Sequence, residues 1–383
     1  MLYRIRRVAW VLPVLGFVFL SSVPAGDEFP SRNVELMGQL RMRTFGSGSD
    51  CWGYTSPSGR EYALVGFNRG VVVAEVTAPT KPRVVQTFVG VSSVWRDIKV
   101  YRDHAYVSNE ERGGLLIFDL SEIDRGLIAT SETLEGGHTS HNLAVDEVSG
   151  FLYRLANTRP QDGMNVFDVS TPGEPQLVGS WHDRYIHDAQ VVTYTSGKFQ
   201  GRQIAFCAAN RTPGGGSPRL DVLDVTDKSD IRRIDSVQYD GSVFAHQVWL
   251  TEDRRYLYLN DELDEIERRT RTRGFIFDVE DVDNPRYLRS FTNGSRAVDH
   301  NMYVDGDLLF AANYRSGLRL FDISTPTEPQ EIGFFDTYPP NDNADIGGLW
   351  SAYPFLPSGT VIGSDRDEGI LLFWAGLDED EDG

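Results

Sequence analysis

The sequence predicts an all-β fold, a seven-bladed β-propeller, because one phrase recurs seven times along the chain. The phrase is a glycine, alternating apolar residues, an acid, and then Ser or Thr and proline, as in GMNVFDVSTP (163–172) and GLRLFDISTP (317–326). The equivalent positions are Glu75, Asp119, Asp168, Asp224, Asp278, Asp322 and Trp374. Their separations of 44 to 56 residues match the length of one four-stranded blade. Because a lone blade cannot bury both of its faces, seven in series predict a closed ring.

The phrase itself alternates with a period of two residues, which predicts the third strand of each blade. A first strand precedes it, as in HNLAVD (141–146), and a fourth follows the proline turn, as in PQLVGSW (175–181). The last copy runs into acidic residues after Trp374, so the seventh blade lacks a fourth strand. NVELMGQLRM (33–42) has fourth-strand character and no blade before it. We therefore expect this N-terminal strand to complete the last blade and close the ring, which removes exposed sheet edges.

The two ends of the chain differ in composition from the repeats. Residues 1–25 contain three early arginines, a short apolar run and small residues, the layout of a secretory signal peptide. An uncleaved N-terminal anchor is the alternative. We expect a linker at 26–32, a single propeller at 33–376 and an acidic tail at 377–383. The chain is then exported, to the periplasm, the cell surface or the extracellular space, with no transmembrane span in the mature protein.

The formal net charge is −19, and −22 without the three arginines of the signal. Such an acidic surface repels nucleic acid and anionic membranes. We expect a monomer that binds an extracellular ligand or protein. Cys51 and Cys207 lie in different repeats and at different strand positions, which favours buried thiols over a disulfide.

Four histidines recur at one position, the start of the first strand in blades three to six. They are His141, His187, His246 and His300. Because inner strands lie against the ring axis, we expect the imidazoles to converge at one mouth of the channel, where they would bind Zn, Fe, Cu or Mn. The alternative is that each histidine hydrogen-bonds the next blade and only pins the ring. Blades one, two and seven offer Asp50, Arg96 and Gly348 instead, and this asymmetry favours a site.

Other polar residues fall near the same mouth and are candidate outer-shell or ligand-binding groups. They are Arg96, Asp97, Glu110, Asn142, Asp188, Gln247, Asp261, Glu262, Asp299, Asn301 and Asn313. Asp188 and Glu262 are the candidate general bases. An Asn or Asp ends the second strand of every blade, which is also typical of turns. The loop NDELDE (260–265) has oxygen ligands suited to calcium, or is a solvated acidic loop.

The repeated phrase resembles the LVIVD repeat. Longer strings, such as SHNLAVD (140–146), HQVWLTEDRRYLYLNDELDE (246–265) and DHNMYVDGDLLFAANYRSGLRLFDIS (299–324), resemble the choice-of-anchor B family, over about residues 33–374. That family comprises exported, mostly bacterial surface propellers that differ in their attachment. The resemblance implies the fold and the location but no established reaction. This chain departs from the family in showing no recognisable C-terminal anchor.

Three functions are compatible with these observations. The first is an extracellular binding module that uses the histidine mouth. The second is a metal-dependent enzyme, an oxidoreductase or a hydrolase, with the four histidines as ligands. The third is a structural propeller stabilised by calcium.

Overall fold

The computed structural model describes residues 29–111, 113–133, 139–156, 163–210 and 215–376. The expected signal peptide and the acidic tail lie outside these ranges. The described residues form seven antiparallel sheets. Five consist of consecutive strands of the chain, and the other two also contain an N-terminal strand. The prediction of an all-β, seven-bladed propeller is confirmed.

Two short strands precede the first blade, and the blades then follow in chain order. The N-terminal strands are β1 (Ser31–Arg32) and β2 (Glu35–Leu40). Blade 1 contains β3 (Gly48–Thr55), β4 (Glu61–Phe67), β5 (Gly70–Glu75) and β6 (Arg83–Val89). Blade 2 contains β7 (Ile98–Tyr101), β8 (His104–Val107), β9 (Leu115–Asp119) and β10 (Ala129–Thr133). Blade 3 contains β11 (Asn142–Asp146), β12 (Phe151–Leu155), β13 (Met164–Asp168) and β14 (Gln176–Trp181).

The remaining blades repeat the same order. Blade 4 contains β15 (Ile186–Thr193), β16 (Gln203–Ala209), β17 (Arg219–Asp224) and β18 (Arg232–Val237). Blade 5 contains β19 (Ala245–Leu250), β20 (Tyr256–Asp261), β21 (Gly274–Asp278) and β22 (Arg286–Phe291), with the short helix α1 (Asp264–Arg268) after β20. Blade 6 contains β23 (Asn301–Asp305), β24 (Leu308–Ala312), β25 (Leu318–Asp322) and β26 (Gln330–Phe335). Blade 7 contains β27 (Leu349–Tyr353), β28 (Thr360–Asp365) and β29 (Gly369–Trp374).

The acid of the recurring phrase has a local structural role. In blades 2 to 6 this acid is an aspartate at the end of the third strand, and its carboxylate accepts the backbone N–H two residues later. Asp168 accepts from Ser170 at 2.8 Å, and Asp322 accepts from Ser324 at 2.8 Å. The Ser170 N–H holds the pKa of Asp168 below its usual value. The repeated acid is therefore explained by an Asx turn that reverses the chain into the fourth strand.

The N-terminal segment closes the ring. Strand β2 pairs antiparallel with β29, from Glu35 opposite Trp374 to Leu40 opposite Ile370, and so completes blade 7. Strand β1, inside the segment expected to be a linker, pairs with β26 at the outer edge of blade 6. The first strands of successive blades contact one another around the ring, including β27 with β3. The predicted closure by an N-terminal strand is confirmed.

The core lies between neighbouring blades. Phe206, Leu220 and Phe275 pack into one of several apolar clusters, in the space between blades 4 and 5. Cys51 and Cys207 are both buried free thiols. Among the described residues, no helix combines the length and the apolar character needed to span a membrane.

Candidate functional site

The four recurrent histidines meet at one mouth of the channel. Their rings form a continuous stack, with centroid separations of 4.5 Å from His141 to His187, 4.3 Å from His187 to His246 and 4.2 Å from His246 to His300. Each side chain stands near the start of a first strand, so residues about 50 positions apart in sequence become direct neighbours. The stack continues into Tyr314, whose ring centroid is 4.5 Å from that of His300.

Three of these imidazoles also fasten one blade to the next. The Nδ1 atom of His187 donates to the carbonyl of His246 at 2.8 Å, and Nδ1 of His246 donates to the carbonyl of His300 at 3.0 Å. His300 repeats the contact with the carbonyl of Trp350 at 2.6 Å. A carbonyl can only accept, so each Nδ1 carries the proton.

This hydrogen-bond pattern fixes what the other ring nitrogen can do. Burial holds the pKa of His187 and His246 well below the ordinary value and lowers that of His300 to about 3, so the rings are neutral at physiological pH. A neutral ring protonated at Nδ1 keeps its lone pair on Nε2, the form that binds metal ions. The structural and the ligating interpretations of the histidines are therefore compatible, because they use different nitrogens.

Blade 3 departs from this pattern. His141 directs Nδ1 at Oε1 of Glu110, 2.5 Å away. The carbonyl of His187 instead receives the side-chain amide of Asn142 at 3.0 Å. The expected outer-shell role of Glu110 corresponds to this contact with His141.

Glu262 brings a carboxylate to the imidazoles of blades 5 and 6. Its Oε2 lies 3.8 Å from Nε2 of His246, and its Oε1 lies 3.7 Å from Nε2 of His300. The Tyr314 hydroxyl donates to Oε1 at 2.8 Å and so orients the carboxylate. One ligand atom from each of His246, Glu262 and His300 lies within 4.8 Å of the others. Two imidazoles and a carboxylate are a donor set for Zn or Fe(II).

The sequence placed all four histidines in one metal site, whereas the structure brings His246 and His300 together with Glu262. His187 and His141 extend the stack but lie outside this group of three. Two alignments at the mouth were wrong. The residue of blade 7 that corresponds to the histidines is Trp350, not Gly348, and Asp50 of blade 1 lies deeper in the channel. The same β-bulge contains His187 in blade 4 and His246 in blade 5, and it contains Trp350 in blade 7 and Ser49 in blade 1. Position within the bulge therefore aligns Trp350 and Ser49 with the histidines.

Below the imidazoles the channel contains a buried lysine among carboxylates. Lys99 Nζ lies 2.5 Å from Oδ1 of Asp97, 3.4 Å from Oδ2 of Asp50 and 4.5 Å from the ring centroid of Trp52. Burial raises the pKa of Asp50 and of Asp188 to about 7 each. Asp97, Asp188 and Asn301 line a small cavity of about 20 Å³ together with His141, His246 and His300. A cavity of this size has room for about one water molecule. Asp188, a candidate general base, therefore faces the same cavity as His246 and His300.

Several other predicted residues hold blades together. Arg96 donates through Nε to the carbonyl of Phe67 at 3.0 Å. Gln247 exchanges two hydrogen bonds with the backbone of Met302, at 2.9 and 3.0 Å. Asn301 donates to the Ser351 hydroxyl at 3.4 Å.

The remaining predicted residues lie away from the histidines. Asp261 accepts from the Tyr239 hydroxyl and from the N–H groups of Val243 and Phe244, each at 2.7 Å. Asp299 and Asn313 line a second cavity, at the junction of blades 5 and 6.

Sequence reasoning overlooked Lys99 and Tyr314. The signal for Lys99 was a lysine at an inward position of IKVY (98–101), a strand that is otherwise apolar. Tyr314 lies two residues after the end of β24 and has a positive φ of 36°, a conformation that the sequence does not reveal.

Comparison with known proteins agrees with this architecture. The family model of the LVIVD repeat matches residues 95–123 and 300–337. The chain is a β-propeller with LVIVD repeats. The first segment spans the first three strands of blade 2, and the second spans blade 6. The same repeat thus presents Arg96 and Lys99 in one blade and His300 in another, so it defines the strands and leaves the channel residue variable. No curated protein matches the chain.

Two solved structures share the fold at low sequence identity. Hydrazine synthase of Kuenenia stuttgartiensis matches with a TM-score of 0.58 and 13% identity, over 92% of this chain and 98% of that one. A functionally unknown protein of Desulfotomaculum acetoxidans matches with a TM-score of 0.53 and 15% identity, over 78% of this chain and 87% of that one. At these identities the likeness concerns the fold alone.

Proposed function

We propose that this protein is an exported binding propeller whose channel mouth holds a transition-metal ion through His246, His300 and Glu262. One observation carries the proposal. Two neutral imidazoles direct Nε2 lone pairs at the two oxygens of a single carboxylate, from 3.8 and 3.7 Å. Three electron-rich groups that face one another are stabilised by a cation between them. The Nδ1 hydrogen bonds support the proposal because they select the tautomer that ligates through Nε2.

The distances favour a small ion. In a tetrahedral zinc site with bonds of about 2.0–2.1 Å, two ligands stand about 3.3 Å apart. The separations of 3.7 and 3.8 Å need a contraction of a few tenths of an ångström, which side-chain rotation supplies. Three protein ligands leave a coordination position, and the small cavity below the histidines has room for a water-sized donor there.

Export is the second part of the proposal. The basic start, the apolar run and the small residues of 1–25 support it, as do the strongly acidic composition and the resemblance to the choice-of-anchor B family. The partner is then an extracellular ligand or protein that completes the metal coordination at the mouth.

Matched asparagine variants test the metal site. The amide nitrogen of Asn can replace the Nδ1 donor of His, but Asn has nothing equivalent to Nε2. We expect the protein purified without nickel to bind one Zn²⁺, and His246→Asn and His300→Asn to weaken binding at least 100-fold by calorimetric titration. His187→Asn is the control, because His187 makes the same Nδ1 hydrogen bond to the next blade but does not belong to the proposed ligands. This variant should change the affinity for Zn²⁺ less than fivefold. Equal loss in all three variants, or no binding by the unaltered protein, would refute the proposal.

A metal-dependent enzyme is the second candidate, favoured by the position of Asp188. Its carboxyl group lines the cavity shared with His246 and His300, and burial brings its pKa to about 7, which suits a general base at neutral pH. The test is hydrolysis of nitrophenyl esters and phosphate esters by the Zn²⁺-loaded protein. The enzyme candidate requires turnover that is lost in Asp188→Asn while zinc binding is retained. No turnover above that of free Zn²⁺ counts against it.

A further inference from the structure

A second cluster of ligand atoms lies between blades 5 and 6, on the other side of the loop that carries Glu262. One oxygen from each of Asp264, Glu265 and Asp299 lies within 4.8 Å of the others. Asp264 and Glu265 begin helix α1, and Asp299 precedes strand β23. All three are buried, with exposed fractions of 0, 2 and 2%. We propose that these three carboxylates form a second, all-oxygen cation site that binds Ca²⁺.

The hydrogen-bond balance of the cluster supports a ligand. Both carboxylate oxygens of Glu265, and Oδ1 of Asp299, have no hydrogen-bond donor among the described residues. The side-chain oxygens of Asn260 and Asn313 also have none within that part of the chain, and both residues line a cavity with Asp299. A buried acceptor left without a partner costs stability, and so many in one place are rare. A cation coordinated by these oxygens removes the cost.

The charge balance leads to the same conclusion. Asp264, Glu265 and Asp299 carry up to three negative charges, and Asp261 is next to them in sequence. Among the described residues, the cation that pairs with this group is Arg273, whose guanidinium contacts Asp264. Asp261 is satisfied separately by Tyr239 and two backbone N–H groups. Two buried negative charges thus remain without a counter-charge. One divalent cation can neutralise both of them, and so can bound protons.

The donor type favours calcium. Every candidate ligand is an oxygen, which hard cations prefer and which gives no advantage to Zn²⁺ or Cu²⁺. The three oxygens lie within 4.8 Å of one another, inside the limit of about 4.8 Å for two ligands that are each about 2.4 Å from one Ca²⁺. Magnesium usually keeps several of its water molecules, whereas Ca²⁺ accepts protein oxygens in flexible geometries, so a buried group of carboxylates favours calcium.

This site is distinct from the histidine site but shares its framework. Within the segment 260–265, the side chain of Glu262 faces the imidazoles, whereas those of Asp264 and Glu265 belong to the cluster between blades 5 and 6. Asp299 is adjacent to His300 in sequence. Calcium would therefore fasten the loop that presents Glu262, although the site does not depend on whether a metal binds the histidines.

The experiment uses the whole protein after treatment with EGTA. We expect calorimetric titration at pH 7 to detect one Ca²⁺ per chain and to find an increase in melting temperature on binding. Glu265→Gln and Asp299→Asn should each weaken calcium affinity at least 100-fold. Glu267→Gln, on the exposed side of the same helix, is the matched control and should bind with unchanged affinity.

We expect the Glu265→Gln variant to fold, because the substitution removes a buried charge and so lowers the cost of burying this side chain. Without calcium we expect this variant to melt at or above the temperature of the calcium-free parent, and to gain nothing when calcium is added. The proposal is overturned if the parent protein binds no Ca²⁺ at millimolar concentration, or if an infrared band of a protonated carboxyl group, lost in Glu265→Gln, is unaffected by calcium. Zinc titration of the same variants reports separately on the histidine site.

Discussion

The two sides of the channel solve the same problem, burial of polar groups against the ring axis, in opposite ways. On the side of blades 1 and 2, the cation is built in: Lys99 lies against Asp97 and Asp50. On the side of blades 5 and 6, His246, His300 and Glu262 face one another. No lysine or arginine of the described residues forms a salt bridge with Glu262, and Arg366 acts on its carboxylate only from a longer distance. The first side therefore contains its own cation in an internal ion pair, whereas the second is suited to a cation from solution.

The largest effect is expected on the lysine side. Lys99→Met leaves Asp50 and Asp97 buried without their cation, and removing one partner of a buried ion pair costs about 3–5 kcal/mol. Urea denaturation measures this loss. The exposed pair of Lys198 with Asp281 provides the control, since Lys198→Met should change the free energy of unfolding far less than Lys99→Met. Equal and small effects of both substitutions would mean that the lysine side is not a self-contained ion pair.

On the histidine side, the corresponding cation is added from solution. Zinc at 100 times its dissociation constant should stabilise the folded protein by about 2.7 kcal/mol, because it binds only the native arrangement. The increase in melting temperature should vanish in His300→Asn and persist in His187→Asn. An increase of the same size in both variants would place the stabilising zinc outside the proposed group of ligands.

The histidines should also differ in what their two nitrogens contribute. His187→Ala removes the donor to the His246 carbonyl and leaves that group unpaired, at a cost of about 1–3 kcal/mol. His187→Asn keeps an amide donor and should recover part of this loss. Denaturation of both variants without metal measures the difference. If Asn is no better than Ala, the Nδ1 hydrogen bond is not what fastens blade 4 to blade 5.

A smaller effect concerns pH on the lysine side. Folding raises the pKa of Asp50 from 3.8 to about 7, chiefly through burial. The native state holds this proton more tightly, so the contribution of Asp50 to stability is full below pH 3.8 and is lost as the pH rises to 7. Between pH 5.5 and 6.5 the loss is about 1.4 kcal/mol. Asp50→Asn should reduce the fall in unfolding free energy by that amount.

The control for this pH effect is Asp168→Asn. Asp168 ends a third strand, and its pKa lies below the ordinary value, so it does not titrate between pH 5.5 and 6.5. The variant should leave the pH dependence of stability unchanged in that interval. A change equal to that of Asp50→Asn would contradict the assignment of the effect to the channel.

The ring could be predicted from the sequence because its determinants are local. The alternation of GLRLFDISTP and the Asx turn at Asp322 depend on neighbouring residues, and the missing fourth strand of blade 7 could be matched to residues 33–42. The convergence of the histidines followed from the same register. In these respects, position in the repeat determines position in the ring.

The composition of the site could not be predicted in the same way, because it depends on contacts between blades. The approach of Glu262 to His246 and His300 is set by the path of the connection between β20 and β21, which contains helix α1 and is longer than the equivalent connection of blade 2. Blades 1 and 7 have no histidine to mark the position that faces the channel, so Asp50 and Gly348 were assigned to it instead of Ser49 and Trp350. The Nδ1 atom of each of these histidines donates to a carbonyl of the next blade, about 50 residues away in sequence, and this contact leaves Nε2 as the ligand atom.

The central claim is that the two imidazoles and the carboxylate hold a metal ion. Anomalous diffraction at the zinc edge, from crystals of the zinc-loaded protein, tests it most directly. The account predicts one strong peak at the channel mouth, about 2.0–2.2 Å from Nε2 of His246, Nε2 of His300 and an oxygen of Glu262. A peak bound by other residues, or none at the mouth in protein shown to contain zinc, would contradict it.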